Sequence, residues 1–448
     1  MPLASLLAAA GAELFGTSSW LAARIGFLLV AALIPPLTAG LSWSFTSRRD
    51  LALTSGLLAV FPAFYLPYLP VTDTFGLYIL FGGFFFLVLS HKPSALNPLL
   101  LGLLAGLMHL ARADGLLWLL LAFIAVLLFR KSNQSPISLL YSLLAVIAGY
   151  LLVMTPWFIR NYAAFGTPMA PGGSKLLWLT SYDQLFSYPA GQITISAWWQ
   201  TGLRDILRAR AWSLGLNLST LLSVQGEVFL LPLIGLGFWH LRMDRRVHLA
   251  GLAWLGTLLA MTLIFPFAGA RGGFFHSGAA IQTVWWALAP LGLDRLIIWG
   301  SRKRGWNATE AGAVFLPALV VLAALLTSVI VYGRVIGGGG GIVWGQEKDA
   351  YSRIDTVLVS QGLKDATVVM VANPPGFYLA SGNPAIAVPD GDLNTLLSVA
   401  QRYGAKYLIL EQGSTPGGLM PVYDNPEDQA GLKYLGNKEG AQLYAIQP

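Results

Sequence analysis

The sequence predicts a polytopic α-helical membrane protein with a small exported α/β domain at its carboxyl end. Three observations carry this. Hydrophobic residues make up 55% of the 448-residue chain, charged residues only 11%, and mean hydropathy is +0.63, whereas soluble domains carry about 25% charged residues. Apolar runs of about 18 residues or more, long enough to cross roughly 30 Å of hydrocarbon, recur through the first three quarters. After residue 333 the pattern becomes short apolar runs alternating with amphipathic ones.

The chain opens on MPLASLLAAAGAELF, apolar with one acid at Glu13, followed by a polar GTSSW break and Arg24. A secretory signal places cations ahead of its apolar run, and this stretch has none before Arg24. Membrane helices are expected at about 19–45, 51–69, 74–90, 95–110, 115–129, 137–156, 226–241, 248–266, 278–298 and 311–332, about ten spans. The run at 95–110 is short and shares the tight ARADG break with 115–129, a pattern that also suits one kinked or re-entrant hairpin.

Orientation follows from the loops. TSRRD (46–50), SHKPS (90–94), RKSNQS (130–135), LRMDRR (241–246) and GSRKRG (300–305) are basic and alternate along the chain, which places them in the cytoplasm. Facing outward are then 70–73, 111–115, the long stretch 157–225, 267–278 and everything after 333. Ten spans with the carboxyl end outside put the amino end outside too. The expected location is the cytoplasmic (cell) membrane, with membrane lipids as neighbours. The net charge of +7 lies mostly in the short loops, so it reads as topology and no nucleic-acid partner is expected. The chain has no cysteine, which excludes disulfides, thiolate zinc sites and a cysteine nucleophile. Its five histidines (91, 109, 240, 248, 276) show no HExxH spacing.

The outer loop 157–225 is rich in aromatics, as an interfacial belt would be, and TGLRDILRARAWSLG within it reads as an amphipathic interfacial helix. The membrane domain is thus expected over 1–332, this loop included. A Gly-rich linker, GRVIGGGGGIVWG, covers 333–346. The tail, 347–448, alternates helical DAYSRIDTVLVSQG and DLNTLLSVAQRYG with strand-like TVVMVAN, AIAVP, KYLILEQ, LKYLGN and AQLYAIQ, an α/β pattern without GxGxxG or P-loop.

Polar groups near membrane depth need a reason. Asp73, in LPVTDTFGLYIL, suits a helix N-cap and also a site carboxylate, and the two roles can coexist. Arg112 and Asp114 suit an ion pair at a helix break. Arg160 and Asn161, in TPWFIRNYAAFGTP, are expected to follow a helix end, where a lone Arg can snorkel. Arg271 and His276, in GARGGFFHSGAA, combine backbone-exposing glycines with a side chain suited to bidentate phosphate contact. His109 reads as a hydrogen-bonded interior residue. Together the outward side offers cations for a phosphate, aromatic faces for sugar rings and carboxylates for a base.

VTDTFG, GLLAGLMHLARADGLL, TPWFIRNYAAFGTP and ARGGFFHSG, in this order and on one side, resemble the GT-C superfamily of membrane glycosyltransferases. The branches most similar are protein O-mannosyltransferases, aminoarabinose lipid A transferases and uncharacterised bacterial relatives. The resemblance covers most of 1–332, and the tail is similar to the α/β domain often appended to such bacterial proteins. It implies an inverting glycosyl transfer (hexosyl or pentosyl) outside the cytoplasmic membrane. The donor it implies is a polyprenyl-phosphate-linked sugar, the acceptor a lipid, glycan or protein of the cell envelope. By it Asp73 corresponds to the acid of the second outer loop, in some members associated with a divalent metal; Arg112, Asp114, Arg160, Asn161, Arg271 and His276 are the expected substrate-binding residues. PLASLLAAAGAELFGTSSWLAARIG resembles the latter part of the family's first outer loop. A leading helix and a principal aspartate are therefore expected ahead of Met1.

Two other classes share the composition. A carrier or flippase for lipid-linked sugars would show internal repeats and matched broken helices, which this sequence lacks. The long outer loop and exported domain also favour surface chemistry over transport, and a polysaccharide polymerase-type or purely structural membrane protein is the remaining class.

Overall fold

The computed structural model describes residues 2–16, 20–90, 94, 96–130, 135–169, 171–337 and 346–447. Most of the Gly-rich linker and parts of the basic loops at 90–94 and 130–135 lie outside them. The chain divides into two compact units, 1–171 with 209–333, and 172–208 with 334–448.

The first unit is helical. Its elements are α1 (Pro2–Phe15), α2 (Trp20–Thr46), α3 (Arg49–Val60), α4 (Phe75–Ser90), α5 (Leu96–Ala111), α6 (Leu116–Leu128) and α7 (Pro136–Phe165). After α8 (Ile195–Gln200), which belongs to the second unit, the chain returns through α9 (Leu203–Thr220) to α10 (Leu231–His240) and α11 (Arg245–Leu259). The short α12 (Pro266–Ala268) and α13 (Phe274–Gly278) then lead into α14 (Gln282–Arg304) and α15 (Ala308–Val331).

Among the described residues four stretches, Leu21–Thr46, Pro136–Phe165, Arg245–Ile264 and Ala308–Ile336, are long and apolar enough to cross a membrane, and five shorter apolar helices accompany them. Large apolar side chains such as Leu29, Leu152, Leu255 and Val329 stand exposed on these helices. Water would penalise such a surface, and hydrocarbon does not.

Local chemistry sets the breaks. The run expected as one helix at 51–69 is divided because Pro62 lacks an N–H and Ala63 takes φ 39°, so α3 ends and a 3-10 turn, Ala63–Tyr68, follows. The run expected at 226–241 begins its helix only at Leu231, after positive φ at Glu227 and Val228. One correction is larger. The helix expected to stop at 156 runs on to Phe165, because Pro156 is absorbed inside it and Gly166, in the left-handed region, ends it. Arg160 and Asn161 are therefore within α7, not beyond a helix end.

α14 is the axis of the bundle. All of its first eleven residues are buried, and α2, α3, α4, α10 and α15 pack on it. Elsewhere small residues let backbones touch: a Cβ on Gly102 of α5 would come within 2.1 Å of the Val146 carbonyl oxygen, and one on Gly149 of α7 within 2.2 Å of Leu99 O. Arginines knit one end of the bundle. Arg48 donates to Asp294 at 2.5 Å, Arg246 to Ser90 Oγ at 3.0 Å and Arg245 to Leu128 O at 2.9 Å. The basic turns thus gather at one end, while 69–74, 111–115 and 269–278 gather at the other.

The second unit is a layered α/β fold. Strands β1 (Val368–Val371), β2 (Ala385–Ala387), β3 (Ala405–Leu410), β4 (Leu432–Lys438) and β5 (Ala441–Ile446) form one sheet in the order β2-β1-β3-β5-β4. The first three are parallel, and β5 runs antiparallel to both its neighbours. Period-two alternation dresses both faces. Val369, Val371, Ile409 and Leu443 meet α16 (Gln346–Ser360) and α17 (Pro374–Ser381). Met370, Leu408, Leu410 and Tyr444 meet α18 (Leu393–Tyr403) and α19 (Met420–Asp424). Residues 172–208 join this unit: Phe186 O accepts from Asp390 N at 3.1 Å, and Tyr188 packs on the α18 side.

Candidate active site

Three chain breaks build the site. The turn before α4 presents Asp73, the break between α5 and α6 presents Arg112 and Asp114, and the Gly-rich segment 269–278 presents Arg271, His276 and Ser277. Gly272 makes the last one possible. Its φ of 110°, a region that favours glycine, turns the chain between α12 and α13 and leaves Arg271 exposed.

His276 Nε2 lies 3.4 Å from Asp73 Oδ1, which also accepts from Thr74 N at 2.5 Å and Thr74 Oγ1 at 3.2 Å. The imidazole is fixed twice over: Nδ1 lies 3.0 Å from Gly272 O, and the ring stacks on Phe75 with centroids 3.8 Å apart. The hydrogen bonds of Asp73 run to Thr74 and His276, not into the first turn of α4, so the N-cap role is not the one it takes. Oδ2 takes no hydrogen bond from a described residue, and the side chain is 35% exposed. Asp73 lies in the turn, outside the membrane-spanning segments. Burial pushes its carboxyl up, but the hydrogen bond and charge of His276, with the Thr74 groups, outweigh this and hold it below its ordinary value.

Asp114 is engaged at both oxygens. Arg112 Nε donates to Oδ1 at 2.9 Å, and Ser277 Oγ donates to Oδ2. The pair is largely buried, and Arg112 also lies over the Tyr78 ring at 5.7 Å. This is an internal clamp that ties α13 to the α5–α6 break. Ser277 escaped the sequence reading, since one serine beside a glycine carries no signal of its own.

Arg160 and Asn161 do not join the cluster. Arg160 lies over Trp157 and Phe165, at 4.9 and 5.3 Å, and donates to Asn161 Oδ1. Buried Asn161 donates to Pro168 O at 3.1 Å, closing the turn after α7. His109 is the expected interior residue, with Nδ1 2.6 Å from Tyr150 Oη. Glu227 is fully buried and accepts from Trp286 Nε1 at 2.7 Å, out of reach of a substrate.

Asp73 and His276 would be two ligands for a divalent ion. Among the described residues no group of three or more His, Asp or Glu side chains comes together to hold one.

No family model and no curated protein matches the chain. Solved structures do resemble it. The oligosaccharyltransferase of Archaeoglobus fulgidus, crystallised with Zn and sulfate, is 12% identical with a TM-score of 0.49, covering 91% of this chain and 59% of that one. The chain thus spans somewhat more than half the length of that enzyme. ArnT from Cupriavidus metallidurans bound to undecaprenyl phosphate is 13% identical with a TM-score of 0.49, and its apo form 12% with 0.46. Each ArnT alignment covers 99% of this chain and 87% of ArnT.

Proposed function

We propose that this protein is a membrane glycosyltransferase that takes a sugar from a polyprenyl-phosphate donor on the extracytoplasmic face. The observation that carries it is the Asp73–His276 pair, whose Oδ2 takes no hydrogen bond from a described residue, with Arg271 exposed on the same Gly-rich segment as His276. In this reading an acceptor hydroxyl attacks the anomeric carbon as the bond from that carbon to the phosphate oxygen breaks. Asp73 Oδ2 takes the hydroxyl proton, and polyprenyl phosphate leaves with the electron pair, its charge met by Arg271. One displacement inverts the anomeric centre. His276 holds Asp73 in place, and Asp114, occupied at both oxygens, keeps the 269–278 segment seated. No step is routed through a metal. The alternating basic loops support about ten spans, with the tail from 347 outside.

The test is direct. The full chain in nanodiscs is given undecaprenyl-phosphate sugars with hydroxyl acceptors, and released undecaprenyl phosphate is measured. Turnover that disappears in Asp73→Asn supports the reading. Turnover indifferent to Asp73 removes it.

A further inference from the structure

α8 and the first turns of α9 carry exposed apolar residues beside unpaired cations. Thr194, which accepts from Ala197 N at 3.1 Å, starts α8, and Gly202, at φ 85°, turns the chain into α9. Ile195 and Trp199 of α8 are 58% and 68% exposed, Leu203 and Leu207 of α9 65% and 58%. The members of each pair are one helical turn apart and so share a stripe. With about 100° between successive residues, buried Ile206 lies to one side of the Leu203–Leu207 stripe, and Arg204 and Arg208 lie to the other.

Both arginines are exposed, and neither guanidinium has an ion pair or hydrogen bond with a described residue. Asp205, the only acid from 195 to 208, pairs with neither. Two unpaired cations flanking large exposed apolar groups call for a partner that is anionic and apolar at once. A soluble polyanion offers only the first of these properties.

The helix itself is tied to the end of a membrane span. Asn217 Nδ2, further along α9, donates to Thr262 Oγ1 at 3.0 Å, and Thr262 stands in the last turn of the Arg245–Ile264 span. α9 is unbroken from Leu203 to Thr220, so Leu207 lies about 15 Å along the helix from that level. A helix lying in the interface rests its apolar stripe on acyl chains, while arginine stems are long enough to carry their guanidinium groups to the phosphates. Trp199 is of the residue type that settles at headgroup level. We propose that the 195–208 surface docks on anionic phospholipid. Arg204 and Arg208 meet the headgroup phosphates, and Ile195, Trp199, Leu203 and Leu207 enter the acyl boundary. Charge selection by this pair of arginines goes beyond an interfacial helix that any bilayer would hold.

The test exploits the absence of cysteine from the chain. Leu203→Cys in the full chain carries a bimane fluorophore, and the protein is placed in nanodiscs that contain brominated phosphatidylglycerol or, at the same fraction, brominated phosphatidylcholine. Relative quenching reads the relative affinity of the two lipids at this surface. An arginine near an anionic surface is worth about fivefold, so brominated phosphatidylglycerol should be preferred about five- to thirtyfold. The preference should vanish when Arg204→Gln and Arg208→Gln are combined, with quenching by both lipids retained. The same label at Leu152→Cys, on the exposed apolar face of α7, should show no preference. Quenching by neither lipid would mean that water, protein or a second copy covers the surface. Equal quenching by both, or a preference that survives the double variant, would remove the arginines from lipid selection. Loss of the preference on adding undecaprenyl phosphate equimolar with the protein would assign the surface to a donor lipid. Each of these results overturns the proposal, and none of the readouts depends on sugar transfer.

Discussion

His276 Nε2 and Asp73 Oδ1 stand 3.4 Å apart, although the two residues come from the turn before α4 and the Gly-rich segment before α14. The imidazole is immobilised by Phe75 and Gly272 O, so the carboxylate is oriented by a group that cannot easily turn away. Its partners hold the carboxyl below its ordinary value, and His276 is the largest of those lowering influences. Asp73→Ala should reduce sugar transfer about 10²–10⁴-fold, the usual cost of losing a general base. His276→Ala should reduce it less and move the acid limb of the pH–rate profile upward. Activity is lost as Asp73 protonates, and without His276 that happens at higher pH. A limb that stays in place would remove His276 from this role.

Arg271 and Arg160 should part company in binding. Arg271 is exposed on the Gly-rich segment that also presents His276, whereas Arg160 is stacked on Trp157 and Phe165 and bonded to Asn161 away from that segment. Arg271→Ala should weaken undecaprenyl phosphate binding by about 1.5–3 kcal/mol, the range for a hydrogen bond to a charged group. Arg160→Ala should leave it unchanged. Equal affinities in an equilibrium binding measurement would remove Arg271 from phosphate binding.

The clamp at Asp114 should show in stability rather than in chemistry. Asp114→Ala leaves Arg112 buried and unpaired, and removing one partner of such a pair costs about 3–5 kcal/mol. Ser277→Ala removes one hydrogen bond and should cost about 1–3 kcal/mol. The double variant should be less destabilised than the sum, because both act through one carboxylate. Full additivity in thermal unfolding would mean the contacts are independent.

Close backbone approach gives a further prediction. Gly102→Val and Gly149→Val each put a Cβ into a facing carbonyl and should lower stability by about 1–3 kcal/mol or more. Gly235→Ala, facing open space, should be near neutral. Similar unfolding temperatures for all three would mean α5 and α7 separate freely.

Much of this architecture can be read from periodicity. The apolar runs locate the helices, and the tail's alternation locates its strands, because each pattern is local. The failures have local causes too. Pro156 reads as a terminator, yet a long helix absorbs it, and so Arg160 and Asn161 were expected past an end that is not there. Asp73 and His276 are each conspicuous in sequence, but nothing local says that they meet. Ser277 is silent because its meaning is Asp114, far along the chain. The attachment of 172–208 to the tail rests on one bridge at Ser187 and Asp390, with a few neighbouring contacts, and leaves no periodic trace.

The last prediction concerns the α/β unit, where a half-buried carboxylate sits at the end of β3. Burial pushes the Glu411 carboxyl up, and the Tyr351 hydroxyl, donating to Oε1 at 2.8 Å, only partly offsets this. The folded state therefore holds a proton to higher pH than the unfolded state does. Where the folded state binds more protons, stability falls as pH rises, so this contribution is lost between the ordinary glutamate value and the raised one. Asp355, also raised by burial, pulls the same way. Hydrogen exchange of the 368–371 and 405–410 backbone in the full chain should accordingly quicken, beyond its intrinsic pH dependence, as pH rises through that window. In Glu411→Gln the amide keeps an acceptor for Tyr351 and does not titrate. Its protection should exceed that of the parent above the window and should follow a shallower pH slope, with Asp355 supplying what remains. Identical slopes in the two proteins would mean that Glu411 is solvated well enough to titrate normally, and that its contact with Tyr351 does not couple to the stability of the sheet.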